Sequence, residues 1–448
     1  MSSKKTPSGY SGDKLSRRQL MKLSAAGTVA AAVPATAMFA PRQAQAIESN
    51  AHIVIVGAGA AGVSMASRLS RAINNPRITI IDAREAHYYQ PGLTLLAVGA
   101  WRDAGKVIDR NDRYLPGSTN WIKDTVASFD PDNNRVFTQA GQQVDYDYLM
   151  VSPGLDIRYD LIEGMSPDLI GQNGIGCVYD NPEHGMGTAR MIDELVENGG
   201  KALMTRPDTD IKCAGAPLKV TLLTDHRMRD EGVRNRTEMH YLSGQGNLFS
   251  QPDIDQFLYK HMPNRNIPVR NNHKLVGIEP GQKIATFSTP DGLHKEDYDF
   301  IHVVPPMTAP EPVRNGPLAW QEGRFQGWLE VDKLTLQHRR YPNVFGVGDV
   351  IGTPVGKTAA SVKAQVPVAV ENLLATIQNK DLPRSYDGYT SCPLITEKGK
   401  AILVEFDYEL KMTPSFNFIN PYEEHWVPWI LKEKMLQAAY LAMLRGRV

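Results

Sequence analysis

An apolar strand running into Gly57-Ala58-Gly59-Ala60-Ala61-Gly62, a second strand–loop–helix over residues 202–231, and a strand at 343–349 that returns to the first unit predict an α/β chain. The same observations divide it into two Rossmann-like domains, with a C-terminal amphipathic, membrane-binding segment after them. The first observation is the most specific. His52 to Val56 reads as a buried strand, Val63, Met65, Ala66, Leu69 and Ala72 give the next stretch a helical apolar face, and a further strand ends at Asp82. Gly57 permits the tight turn, Gly59 lets the backbone approach a pyrophosphate, and Gly62 lets the helix pack closely on the strand. The helix start offers free N–H groups and a positive dipole end to phosphates. Asp82, twenty positions after Gly62, is placed to accept from a ribose hydroxyl. Together these make a dinucleotide site.

Residues 1–46 read as an export signal rather than as fold. Ser16-Arg17-Arg18-Gln19-Leu20-Met21-Lys22 has twin-arginine form, an alanine-rich run follows, and Ala44-Gln45-Ala46 looks like a cleavage site. Pro34 and the short apolar length argue against a membrane span. That route carries proteins already folded around a cofactor, so the expected location is the periplasmic side of the inner membrane. A mature chain of about 400 residues is enough for two domains. Lys+Arg 49 balances Asp+Glu 49, which excludes nucleic acid as a partner. Of the three cysteines, Cys177, Cys213 and Cys392, an odd count in an oxidising compartment suggests one bridge and one remaining thiol. None has a partner at ligand spacing, so no metal site is expected.

The first part of the dinucleotide domain spans 47–162. It holds a loop, a short helix at Thr94–Val98, and strands at Thr125–Phe129, Arg135–Thr138 and Asp147–Val151, the last ending in Ser152-Pro153-Gly154. The second Rossmann-like domain, 163–330, has a strand at Ala202–Thr205 and then Lys212-Cys213-Ala214-Gly215-Ala216-Pro217. A helix from about Leu218 to Glu231 follows, with Pro217 where a missing N–H does no harm. It has no glycine triplet: Gly185-Met186-Gly187 and Gly244-Gln245-Gly246 both lack the third glycine, so no nicotinamide site is expected. Residues 331–385 return to the first domain, where Asn343 to Asp349 is a strand ending in Gly348-Asp349, ahead of a helix opened by Lys357-Thr358-Ala359-Ala360. A carboxylate there can hold a ribityl hydroxyl, and the helix start can stabilise negative charge on a reduced isoalloxazine. This points to FAD rather than NAD.

Cys213 lies just before a helix and directly after Lys212, both of which favour a thiolate. Cys392 lies in Tyr389-Thr390-Ser391-Cys392-Pro393-Leu394, within the segment 386–448. Composition alone leaves a bridge between them either structural or redox-active. The motif around Cys213 with Lys219 downstream, the Tyr389–Leu394 motif, and His87-Tyr88-Tyr89-Gln90-Pro91 together resemble the sulfide:quinone oxidoreductases of the flavin disulfide reductase superfamily. The resemblance runs from about residue 50 to the C-terminus. It implies one FAD per chain, with contacts from Gly57, Gly59, Ala60, Ala61, Gly62, Asp82, Ala83, Gln90, Pro153, Gly154, Gly348, Asp349, Lys357 and Thr358. It also implies that Cys213 and Cys392 are the redox pair, that sulfide becomes polysulfide or sulfane sulfur, and that two electrons pass through FAD to membrane quinone. Lys357 matches a lysine near the flavin pyrimidine and the quinone.

Cys177 is a third catalytic candidate, as a member of the sulfur relay or a covalent flavin anchor, against a buried inert thiol. Covalent attachment in the loop after the second strand is excluded, since that loop offers Tyr88 and Tyr89. Near the C-terminus, a helix from Pro428 gathers Trp429, Leu436, Tyr440 and Met443 on one side, flanked by Lys432, Lys434, Arg445 and Arg447. That pattern suits a membrane interface, against a helix docked on its own core. A homo-oligomer is left open. The rivals are a flavocytochrome c-type sulfide dehydrogenase and a non-catalytic FAD-binding protein stapled by a disulfide.

Overall fold

The computed structural model describes residues 46–448. The export signal and its cleavage site lie outside them, apart from Ala46. The first domain opens with β1 (His52–Val56), α1 (Ala60–Ala72) and β2 (Arg77–Ile81), followed by β3 (Thr119–Ile122), an antiparallel meander, and β4 (Tyr148–Val151). The second contains β5 (Ile175–Gly176), α2 (Pro182–Asn198), β6 (Gly200–Arg206), α3 (Ala216–Asp230), β7 (Thr237–Ser243), β8 (Val269–Arg270) and β9 (Phe300–His302). The chain then returns through β10 (Val344–Gly346) and α4 (Ala359–Ile377), and ends in the hairpin β11 (Thr390–Glu397) and β12 (Lys400–Phe406), α5 (Trp426–Ile430), a π turn (Leu431–Met435) and α6 (Leu436–Leu444).

The two sheets have the same plan. The first runs β10-β4-β1-β2-β3 and the second β5-β9-β6-β7-β8, both parallel throughout. In each, a central strand buried on both faces (Ile53 to Val56; Ala202 to Arg206) feeds the helix that opens at the sheet's carboxyl edge. Ligands of open parallel sheets bind at that edge. The return strand β10 pairs Phe345 with Met150 of β4, which brings Asp349 beside the Gly57 turn.

Among the described residues no helix is long and apolar enough to cross a membrane. The C-terminal helix packs inward. Trp429, Tyr440, Met443 and Leu444 are buried, and Leu436 is half-buried. His87 is the hub of this docking, with Nδ1 2.7 Å from Asn111 Oδ1 and Nε2 2.7 Å from the Tyr440 hydroxyl. Farther along, Ser67 Oγ donates to Leu444 O at 2.7 Å and Arg71 Nη1 to Gly446 O at 2.7 Å. The face expected to meet a membrane is thus the face that covers the first domain. Its outer side instead shows Ile430 and Met435, and the preceding loop shows Phe418, 65% exposed, and Tyr422, 47% exposed.

Candidate active site

The glycine turn is built as its sequence implies. Gly57 has φ +94°, and a Cβ there would strike the backbone of Ser152 and Pro153, while one on Gly62 would collide with the Gly57 carbonyl. At Gly59 and at Gly154 a Cβ would meet nothing within 4 Å, so both face open space. The N-terminus of α1 carries no side-chain cap, which leaves the N–H groups of Ala60 and Ala61 to that space. Asp82 closes the turn, accepting from Ala58 N at 2.6 Å and Arg84 N at 2.8 Å. An open cradle of backbone donors beside a carboxylate fits a dinucleotide.

Around this turn lie Pro153, packed against Gly57, with Gly154 next in the chain, and Gly348, against Ala61, with Asp349, Lys357 and Thr358 following Gly348 in the chain. Gly348 N donates to Gln365 Oε1 at 2.9 Å, and Thr358 caps α4 by accepting from Ser361 N at 3.1 Å. Asp349 and Lys357 are partly open although surrounded by protein, as cleft-lining groups are. Burial pushes the Asp349 carboxyl up against the pull of Lys212 and Lys357. Lys357 is lowered to about 8 by burial, with its ammonium on Asp349 O at 2.7 Å, Ile351 O at 3.1 Å and 3.5 Å from the Trp328 ring centroid. Ala83 and Gln90 are exposed at the rim.

Cys213 N donates to Lys357 O at 2.9 Å, so the second domain brings its cysteine to the mouth of this cleft. Cys213 itself sits at φ +49°, a left-handed conformation unusual for a side-chain-bearing residue and found where a site dictates the backbone. Cys392, on β11, reaches the same point, and a Cβ on Gly215 would lie 2.5 Å from its sulfur. Lys219, buried one turn into α3, donates to Cys213 Sγ at 3.4 Å and Cys392 Sγ at 3.7 Å. The two sulfurs are free thiols in this structure, with Cys392 hydrogen-bonding Cys213. The bond from Cys392 holds the Cys213 thiol well below its ordinary value, and Lys219 adds to this against burial. Donating that bond holds Cys392 well above its own. Burial alone would lower Lys219, but the two sulfurs outweigh it and raise it.

Lys432 also faces the pair. The sequence reads it as a cation flanking a membrane helix, but the π turn rotates it inward, and its Nζ donates to Pro91 O at 2.5 Å. Burial and then Lys219 push it down to about 7. No local motif marks it. Cys177 is kept out of this cluster. It is fully buried after β5, its sulfur 3.7 Å from the Tyr159 hydroxyl, and burial pushes its thiol up to about 11.

Paired parallel-sheet domains, a glycine-lined cleft and a lysine-flanked dithiol define a protein of the disulphide oxidoreductase class. Residues 51–178 match the family model described as pyridine nucleotide-disulphide oxidoreductase. Within that class, the chain belongs to the sulfide:quinone oxidoreductase family. It is 37% identical to the mitochondrial sulfide:quinone oxidoreductase of Dictyostelium discoideum over 93% of this chain and 90% of the relative. It is 33% identical to that of Mus musculus, over 88% and 86%. The crystal structure of the sulfide:quinone oxidoreductase from Aquifex aeolicus has the same fold, with a TM-score of 0.72 at 21% identity, covering 88% of this chain and 92% of that one.

Proposed function

We propose that this protein oxidises sulfide to polysulfide or sulfane sulfur through Cys213, Cys392 and FAD, and delivers two electrons to membrane quinone. The observation that carries this is Lys219, whose single buried ammonium is shared by both sulfurs beside the cleft. Starting from the disulfide, hydrosulfide attacks Cys392. The Cys213–Cys392 bond breaks, an S–S bond to the incoming sulfur forms, and Cys213 leaves as thiolate. Cys213 is the better leaving group because its thiol is the lowered one. Lys219 holds the new negative charge in place. A second hydrosulfide takes the outer sulfur of the Cys392 persulfide away as disulfide ion, leaving both cysteines reduced. FAD would be held along the Gly57–Gly62 turn with Asp82, Gly154 and Asp349, and there it would supply the two-electron acceptor that lets the disulfide re-form and the donor that quinone needs.

Two finer readings go with this. Phe418, Tyr422, Ile430 and Met435 are large exposed side chains of the C-terminal segment that suit the interface of a bilayer, from which quinone would enter. The twin-arginine form of residues 16–22 supports the periplasmic side for that membrane surface. Cys177 is the third thiol for the sulfur relay or for covalent attachment of the flavin, two residues before Tyr179, whose hydroxyl donates to Cys213 O at 3.4 Å.

The test is anaerobic mixing of the purified holoprotein with sulfide while the visible flavin band is followed, then addition of a soluble quinone. Bleaching by sulfide and recovery on quinone are expected. Recovery only on a cytochrome would give the electrons another acceptor, and a flavin that sulfide does not bleach would end the sulfide reading.

A further inference from the structure

Lys219 holds the sulfurs, but the two elements that carry them are tied together at their far ends. Cys213 lies just ahead of α3 and Asp225 lies near its end. Cys392 lies near the start of β11, and Glu397 is its last residue. From Ala216 to Asp225 the helix advances ~14 Å, and from Cys392 to Glu397 the strand advances ~17 Å. The helix and strand pack side by side, so they present sulfurs at one end and carboxylates at the other.

Arg265 spans the carboxylate end. Its Nη1 is 3.3 Å from Asp225 Oδ2 and its Nη2 donates to Glu397 Oε2 at 3.0 Å. Asp225 is fully buried and also takes Arg229 Nε at 2.8 Å and Arg234 Nε at 2.6 Å. Those two arginines in turn fix the Arg265 backbone, with Arg229 Nη2 donating to Arg265 O at 2.6 Å and Arg234 Nη2 to Asn266 O at 2.9 Å. A planar guanidinium held at both ends and at its own backbone has one placement. Buried ion pairs of this kind are weak evidence for stability, since apolar packing often serves as well. What apolar packing does not supply is a fixed register along the axis.

We propose that Arg265 is a positioning residue for the cysteine pair. It locks α3 against β11 and so sets how readily the Cys213–Cys392 disulfide is reduced. This rests on the redox role given to the pair above. In the couple, one disulfide takes up two electrons and two protons to give two thiols. Disulfides tolerate only a narrow separation and orientation of their residues, so a loosened register lowers the effective concentration of one thiol at the other and favours the dithiol.

The measurement equilibrates the holoenzyme in glutathione buffers of graded potential, traps free thiols with iodoacetamide, and quantifies alkylated Cys213 and Cys392. Arg265→Met and Glu397→Gln are each expected to move the equilibrium threefold or more toward the dithiol, with flavin content as in the parent. Lys400→Gln, which removes only the exposed partner of Glu397, is expected to stay within threefold. Variants that lose melting temperature but keep the parent equilibrium, or move toward the disulfide, overturn the proposal and leave a purely structural network. Glu397 is partly exposed, so its variant decides the matter if Arg265→Met does not fold. A parent pair that stays in one redox state in every buffer would instead defeat the redox reading itself.

Discussion

The two domains use one device for opposite ends. In each, the central strand of a five-stranded parallel sheet delivers the chain to an uncapped helix N-terminus at the carboxyl edge. After β1 the turn is Gly57-Ala58-Gly59, with no side chain larger than a methyl, so that a phosphate can reach the backbone donors. After β6 the corresponding region carries Lys212-Cys213-Ala214-Gly215, and what faces the helix start is the protein's own sulfur. Both sites place negative charge at the positive end of a helix. The difference is whether the anion is brought in or built in. A domain without a glycine triplet thus still has the field that the triplet exploits.

The sharpest break of this comparison is to remove the built-in anion. Cys213→Ser or Cys392→Ser is expected to slow sulfide-driven flavin bleaching by about a thousandfold or more, with flavin content unchanged, because a hydroxyl neither ionises nor exchanges as a thiol does. Stopped-flow absorbance reads this directly. Bleaching at the parent rate in either variant would strip the pair of its role.

The next contrast lies inside the glycine turn. Gly62→Ala drives a methyl into the Gly57 carbonyl, and a loss of about 3 kcal/mol with poor flavin retention is expected. Gly59→Ala adds the same methyl to open space, so the fold should survive while flavin affinity drops about tenfold by blocking close approach. Thermal melting and flavin-to-protein absorbance ratios separate the two, and equal melting temperatures would contradict the packing role given to Gly62.

Lys219→Met tests the field on the sulfur side. With the ammonium gone, the midpoint of the pH profile for Cys213 alkylation should move up by roughly one unit. The sign follows from the lowered thiol. In the parent the thiolate persists as pH falls toward the lowered value, and the stability it confers is complete above the ordinary thiol pKa and lost as pH falls through the lowered one. An unchanged alkylation profile would assign the activation to Cys392 and the helix alone.

The smallest effect is assigned to Lys432. With a value near 7, it adds a positive charge beside the pair in mild acid and loses it as pH rises. The parent's alkylation rate should show an inflection of about twofold near pH 7 that Lys432→Gln lacks. A variant that keeps the inflection would place its source elsewhere.

Much of this was legible in the chain because local pattern carries it. Strand, glycines, helix and Asp82 sit within one short stretch, and the structure places α1 and β2 where the apolar periodicity puts them. Pro217 marked the start of α3, although the helix begins at Ala216, two residues before the expected Leu218. The C-terminal segment was legible as helical, but an apolar face read from sequence serves equally for lipid and for a neighbouring domain. The π turn that swings Lys432 inward leaves no mark in composition. Asp225, Arg265 and Glu397 read singly as surface charges. Only the packing of α3 on β11 makes them a unit.

The contacts between α1 and the distant stretch 444–448 bear on how the protein is made. Arg68 Nη2 donates to Val448 O at 2.6 Å across a separation of 380 positions, and Ser67 and Arg71 add to the same seam. Contacts of such sequence separation form late and slowly. The helix at the glycine turn emerges from the ribosome early but has its outer flank covered only once residues 444–448 are out. That flank of the helix therefore stays open to water until the seam closes, so closing the seam is the step on which a settled glycine turn waits.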